Sequence, residues 1–129
     1  MTQLVLCIAI VGVMPYVLTG LSKSRGFTMK DNQHTREWQT QLTGWRKRAY
    51  WAHQNAFEAI PLFAALAILA HLRSPESAVV IEACWAFVAL RLAHAACYLA
   101  DAGRLRSTVW TGSQVAQGAL LLVGLGVVG

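Results

Sequence analysis

Residues 59–72 read AIPLFAALAILAHL, an apolar run in which the only ionisable side chain is His71. The apolar stretch around this run extends from about Tyr50 to Leu72. A helix crosses the hydrocarbon core of a bilayer, which is about 30 Å thick, with roughly 20 residues. The length and composition of this stretch therefore predict a transmembrane helix.

Three more apolar stretches of similar length flank this one. Counted from the N terminus, the stretch that contains residues 59–72 is the second of the four. The turn residues at 73–76 separate it from the third stretch, and the polar residues at 101–104 separate the third from the fourth. We therefore predict an all-α membrane protein, a bundle of four transmembrane helices in a single integral membrane domain, 1–129. The predicted helices cover about 4–21, 49–72, 77–100 and 107–128.

The overall composition agrees with this fold class. Hydrophobic residues make up 56% of the 129 residues and charged residues only 13%, whereas about a quarter of the residues in a soluble domain are charged. This shortage of charge excludes an ordinary soluble domain.

The net charge of +5 is concentrated on one side of the predicted membrane. Seven of the eleven basic residues lie between Lys23 and Arg48. With the first and third connections on the same side, nine basic residues gather there, and the opposite side holds only Arg73. The positive-inside rule makes the basic side cytoplasmic, so both termini are predicted to face away from the cytoplasm. No aromatic-basic pattern or zinc spacing accompanies the charge, and we expect no nucleic-acid partner.

The first apolar stretch, 4–21, is predicted to be a transmembrane helix and not a cleaved signal peptide, because no basic residue precedes it and no cleavage site is evident. The three cysteines, at 7, 84 and 97, all fall in apolar stretches and none forms a CxxC pair, so we predict buried free thiols. His53 and His94 have no metal-ligand spacing to a cysteine or an acid, and we predict no metal site.

Polar side chains inside membrane helices are costly, which makes them candidates for function. Asn55 and Glu58 share one face of the second predicted helix, and Arg91, His94 and Tyr98 share one face of the third. Counted from the flanking polar residues at 1.5 Å per residue, Glu58 and Arg91 both lie about 15 Å deep. We therefore expect a Glu58–Arg91 ion pair between the helices. Glu82 has no evident partner.

Nearer the cytoplasmic side, the sequence predicts a polar pocket for a small anionic ligand, open to the cytoplasm and flanked by lipid. The residues expected around it are Arg48, His53, Asn55, His94, Tyr98, Arg104 and Arg106. The alternative for the three arginines is that they anchor the protein to lipid headgroups.

The segment RAYWAHQNAFEAIPLF at 48–63 resembles the signature region of the MAPEG family, the membrane-associated proteins of eicosanoid and glutathione metabolism. The segments RLAHAACY at 91–98 and LRS at 105–107 extend the resemblance, which covers nearly the whole chain and is strongest to bacterial members. It implies a left-handed four-helix bundle assembled as a homotrimer in the bacterial inner membrane. Glutathione, as co-substrate, would lie between neighbouring subunits and face the cytoplasm.

The resemblance also implies a role for each candidate site residue. Arg106 matches the arginine that stabilises the glutathione thiolate, and Tyr98 matches a tyrosine that assists catalysis. Arg48, Asn55 and Glu58 match polar positions of the glutathione site, and His94 stands where some members have another tyrosine. Together with the supporting Arg91, these are the predicted glutathione-binding residues. A fixed cation near sulfur lowers the pKa of a thiol and so increases the population of nucleophile.

The activity implied is glutathione-dependent transfer to, or peroxidase action on, lipophilic electrophiles that arrive from the bilayer. Trp51 and Ala59 depart from the family pattern, since they replace an arginine and a tyrosine of the leukotriene synthase branch. A non-catalytic protein that binds lipid or assembles a complex in the membrane is therefore the alternative. A small proton-coupled exporter is a third class of function. The buried acid of such an exporter would titrate without a paired base, whereas Glu58 is expected to pair with Arg91.

Overall fold

The structure is a computed structural model that describes residues 1–128, and Gly129 lies outside the described residues. Four long helices make up most of the chain, which confirms the predicted all-α fold class. They are α1 (Thr2–Ser22), α3 (Gly44–Arg73), α4 (Ala78–Leu99) and α5 (Gly103–Gly124). The connection after α1 holds a 3₁₀ turn, Asp31–His34, and the short helix α2, Thr35–Thr40.

Three of the long helices, α1, α3 and α4, are long and apolar enough to cross a membrane. Large apolar side chains such as Val13, Leu69 and Leu92 are exposed on them, as expected for surfaces that contact lipid. The fourth predicted span, α5, equals α4 in length but falls short in apolar composition. Polar side chains lie both on its inward-facing half, at the buried Ser113 and Gln117, and on its exposed half, for example at Gln114.

Three helices begin earlier than the sequence predicted, and α1 does so by two residues, at Thr2. Helix α3 begins at Gly44, not at 49, and helix α5 begins at Gly103, not at 107, and ends at Gly124, not at 128. The prediction followed the apolar stretch, whereas the helix continues into polar residues that are good helix formers, such as Arg46 and Lys47. With 30 residues, α3 is about 45 Å long and extends beyond an apolar layer of about 30 Å.

The core lies where the four long helices meet. Phe63 of α3 stacks on Phe87 of α4, with ring centroids 4.1 Å apart and an interplanar angle of 9°. Cys7 of α1 and Leu120 of α5 are also fully buried in this cluster. All three cysteines are buried and free, as predicted. Helix α1 packs on α3 and α4, and α5 packs on the other sides of α3 and α4.

One end of the bundle, here called the basic end, is where α1 and α4 end and α3 and α5 begin. The connection between α1 and α3 folds back on this end. The buried amide of Gln39 donates hydrogen bonds to Thr19 Oγ1 (3.2 Å) and Ser22 Oγ (3.4 Å). The guanidinium of Arg46 donates to the backbone carbonyl of Arg25. The connection is therefore anchored to α1 and α3, as an ordered interfacial segment.

Candidate functional site

Arg91 of α4 is the most deeply buried charged side chain of the described residues, at 2% exposure. Its Nη2 donates to the side-chain Oδ1 of Asn55 at 2.6 Å and to the backbone carbonyl of the same residue at 3.0 Å. The Asn55 amide nitrogen donates in turn to Glu58 Oε2 at 3.4 Å. These contacts tie α4 to the basic half of α3.

The predicted Glu58–Arg91 ion pair is wrong for this structure. Within residues 1–128, no ion pair shorter than 4.0 Å joins these two side chains. Asn55 lies one helical turn nearer the basic end than Glu58, about 4.5 Å along the axis, and it receives the guanidinium instead. The depth estimate was therefore correct to about one turn, which was too coarse to distinguish the amide from the carboxylate.

A cleft of about 210 Å³ opens beside this contact, between α3, α4 and α5. The carboxylate of Glu58 lies at its exposed rim, and Arg91 lies at its base. The full lining is Asn55, Glu58, Ala59, Leu62, Arg91, Trp110, Gln114 and Gln117. The cleft thus combines one acid, amides and an apolar wall at the depth of the membrane-spanning segments.

The cleft also contains three side chains of α5 that are not among the predicted site residues. Trp110, Gln114 and Gln117 follow a spacing of i, i+4 and i+7, which places them on one face of the helix. That pattern was visible in the sequence. The fourth helix was predicted from apolar length alone, which does not assign these polar side chains to a site.

A second cluster lies at the basic end and contains the predicted catalytic residues. His94 is buried and its ring meets the ring of Tyr98 edge-on, with centroids 5.2 Å apart. The guanidinium carbon of Arg106 lies 4.4 Å from the centroid of the Tyr98 ring. The structure therefore brings His94, Tyr98 and Arg106 together, and the aromatic face holds the cation in place.

Arg48 caps the end of α4. Its Nε and Nη2 donate to the carbonyl of Leu99 at 3.3 and 3.2 Å, and its Nη1 lies 3.7 Å from Asp101 Oδ2. Asp101 has φ = 60°, the left-handed conformation that usually ends a helix at glycine. Arg48 is thus fixed at the turn between α4 and α5, on the side of the basic end.

The structure divides the single pocket that was predicted into separate environments. His53 faces α1, where its Nδ1 lies 2.9 Å from the carbonyl oxygen of Pro15, and it packs against Phe57. Arg104 is exposed at the start of α5. Neither lines the cleft. The other predicted pocket residues lie in three places: Asn55 in the cleft, His94, Tyr98 and Arg106 in their cluster, and Arg48 at the turn after α4.

This arrangement can bind an anion and hold it beside an apolar surface. Arg48 and Arg106 supply fixed cations at the basic end, and the amides of the cleft supply both donors and acceptors. In the part of the chain that the structure describes, no group of three or more His, Cys, Asp or Glu side chains is placed to hold a metal ion.

Comparison with known proteins supports this interpretation at the level of the family. No curated protein and no solved structure matches the chain. The family model for MAPEG, in contrast, matches residues 3–126, almost the full length. Together with the four long helices and the apolar spans, this match makes the protein an integral membrane protein that belongs to the MAPEG family.

Proposed function

We propose that the protein is a glutathione-dependent membrane transferase or peroxidase that acts on lipophilic electrophiles. The observation that carries the proposal is the fixed position of Arg106 over the Tyr98 ring, 4.4 Å from its centroid, beside the buried His94. A cation held there stabilises a thiolate relative to a thiol. In conjugation, the thiolate sulfur forms a bond to the electrophilic carbon while the leaving group departs with its electron pair. In peroxide reduction, the thiolate attacks the O–O bond, the alcohol leaves with a proton that Tyr98 is positioned to supply, and a second glutathione completes the reaction to water and glutathione disulfide.

The remaining candidate residues bind glutathione in this proposal. Arg48 binds a carboxylate of the tripeptide at the basic end, where its guanidinium already holds the turn after α4. Asn55 and Glu58 at the cleft offer an acceptor and donors to the ammonium and peptide groups. Arg91 does not contact the ligand; it is a positioning residue that orients Asn55.

We further propose that the protein is a homotrimer in which each glutathione lies between two subunits. Glu58 and Leu62 are exposed along the rim of the cleft although they belong to a membrane-spanning helix. A neighbouring subunit at this rim shields the carboxylate from lipid, which is otherwise costly. The basic end then faces the cytoplasm of a bacterium, and both termini face away from it.

The proposal is tested with purified protein, glutathione and two probe electrophiles, 1-chloro-2,4-dinitrobenzene and cumene hydroperoxide. Arg106→Ala is expected to reduce conjugation or peroxide reduction by at least about tenfold, the effect of one lost electrostatic contact in a transition state. Arg104→Ala is the matched control, because Arg104 lies two residues away and is exposed. Equal activity in the two variants would remove the role assigned to Arg106.

A non-catalytic lipid-binding protein is the second candidate, and one observation favours it. Ala59 lines the cleft without a polar atom in its side chain, and the exposed Trp51 replaces a cation at the basic end of α3. Such a protein binds lipid in the cleft and forms no glutathione thiolate. Co-purification of a lipid, with no glutathione binding in folded protein, would establish this alternative.

A further inference from the structure

The inner end of the cleft holds a polar side chain that nothing in the proposed glutathione site uses. Gln117 is only 5% exposed, and it lines the cleft. The side-chain hydrogen bonds of α5 involve Ser107, Thr108, Thr111, Ser113 and Gln114. None involves the amide of Gln117 within residues 1–128. The buried polar atoms without a partner in this part of the chain are Arg91 Nε and His71 Nδ1, so the amide of Gln117 keeps access to the cleft, where a ligand can hydrogen-bond to it.

The depth of Gln117 indicates what kind of ligand this is. It lies 10 residues after Ser107, where the fourth apolar stretch begins, about 15 Å along the helix axis. In an apolar layer about 30 Å thick, this is near the middle of the membrane. Charged groups are disfavoured at that depth, so the glutathione carboxylates belong nearer the basic end. A neutral amide that donates and accepts hydrogen bonds suits a neutral polar group on an apolar molecule.

The other residues that line the inner end of the cleft also suit an apolar molecule with a neutral polar group. Leu62, Ala59 and the half-exposed ring of Trp110 present apolar surface, and Gln114 adds a second amide one turn before Gln117. The volume of about 210 Å³ is below the range of roughly 300–1,000 Å³ typical of sites that enclose a whole drug-sized ligand. The cleft therefore accommodates the polar head of a larger lipophilic molecule.

We propose that Gln117, assisted by Gln114, binds the carbonyl-type oxygen of a lipophilic ligand at the inner end of the cleft. Gln117 is thus the residue that selects membrane-borne molecules carrying a neutral oxygen acceptor over pure hydrocarbons. The proposal deepens the proposed function, and rests on it for the statement that this ligand is the electrophilic co-substrate. The binding preference itself does not depend on glutathione.

The test uses benzophenone as a photolabel and two competitors of the same planar skeleton. 9-Fluorenone carries a carbonyl oxygen, whereas fluorene has a methylene at that position. In the intact protein, light-induced labelling is mapped to the cleft-lining segments of α3 and α5 by mass spectrometry. 9-Fluorenone is expected to compete about three- to tenfold better than fluorene, the range that one net hydrogen bond supplies.

Gln117→Leu removes the amide at nearly constant volume, and the preference for 9-fluorenone is expected to fall to about one. Gln33→Leu, in the exposed part of the α1–α3 connection, is the control for partition of the probes into the detergent and should keep the ratio of the unmodified protein. If Gln117→Leu does not fold, the less buried Gln114→Leu provides the test, with a reduced ratio expected.

Three results would overturn the proposal: an unchanged ratio in folded Gln117→Leu, no labelling of the cleft, or a changed oligomeric mass of that variant by light scattering. The last result would assign the amide to a contact between copies of the chain. Glutathione thiolate formation is measured in the same preparations. A carbonyl preference without thiolate contradicts only the proposed function, and thiolate without the preference contradicts only this inference.

Discussion

The guanidinium of Arg91 donates its shortest hydrogen bond, 2.6 Å, to the side-chain oxygen of Asn55. A second bond reaches the backbone carbonyl of the same residue, and the Nε of Arg91 has no partner among the described residues. Asn55 thus accepts both hydrogen bonds of Nη2, one of them through its side-chain amide, from a buried cation that joins α3 to α4. The same amide forms the wall of the cleft, so helix packing and the candidate site share a residue.

Asn55→Ala is therefore expected to lower the free energy of unfolding by about 1.5–3 kcal/mol, the usual value of a hydrogen bond to a charged group. Glu58→Gln should change it by less than about 0.5 kcal/mol, as for other exposed substitutions. Unfolding in mixed detergent micelles, followed by circular dichroism, measures both. A loss in Glu58→Gln equal to that in Asn55→Ala would mean that Glu58 and Arg91 pair directly after all.

The packing of Arg106 on Tyr98 predicts a difference between two substitutions of the tyrosine. Tyr98→Phe retains an aromatic face for the guanidinium, and glutathione affinity should stay within about twofold. Tyr98→Ala removes a contact that contributes about 0.5–1 kcal/mol, which predicts affinity reduced roughly two- to fivefold. Equilibrium dialysis with radiolabelled glutathione measures both. If the two variants lose affinity equally, the hydroxyl binds glutathione and the ring is not what positions Arg106.

The turn after α4 predicts a stability effect that depends on Arg48. Asp101→Gly removes the cost of a left-handed conformation in a residue with a side chain, about 1 kcal/mol. It also removes the carboxylate 3.7 Å from Arg48, a half-exposed contact of small value. We expect a net stabilisation, measured by thermal unfolding. In the Arg48→Ala background, Asp101→Gly should stabilise the protein more, because no contact with Arg48 is lost there. A smaller stabilisation in that background would contradict this interpretation.

The connection at the basic end predicts a pH dependence. The hydroxyl of Thr28, and then its backbone N–H, donate to Asp31 and lower the pKa of that carboxyl below its ordinary value of 3.8. Because the folded pKa is the lower one, the stabilisation is complete above pH 3.8 and is lost as the pH falls through the folded pKa.

Hydrogen exchange of the amides at 28–34, corrected for the intrinsic rate, should therefore accelerate over that range. In Asp31→Asn, which cannot ionise, this additional acceleration should be absent. Exchange that accelerates equally in both proteins would show that Asp31 does not order the connection.

Much of the fold follows from features that are local in the sequence. Apolar length gives three membrane spans, and the i, i+3 and i+7 spacing places Arg91, His94 and Tyr98 on one face, where the structure finds His94 and Tyr98 in contact. The acceptor of Arg91 could not be predicted with the same certainty. It depends on the relative translation of two helices to within one turn, which side-chain packing sets and periodicity does not.

The candidate site shows the same distinction. Asn55 and Glu58 were predicted from their cost inside a membrane, and both line the cleft. His53 was expected around the predicted polar pocket, but its Nδ1 lies 2.9 Å from the carbonyl oxygen of Pro15, because the face it occupies on α3 packs against α1. The assignment of a polar residue to a helix pair needs the arrangement of the bundle, which single-helix patterns do not contain.

The stabilisation of a glutathione thiolate by Arg106 can be measured as the ultraviolet absorbance of bound glutathione as a function of pH. We expect saturable thiolate absorbance in the unmodified protein at pH values about one to two units below the ordinary thiol pKa of about 8.5. In Arg106→Ala the absorbance should appear only near that ordinary value, with Arg104→Ala unchanged. Coincident titrations of Arg106→Ala and the unmodified protein, or no thiolate in folded protein, would contradict the account.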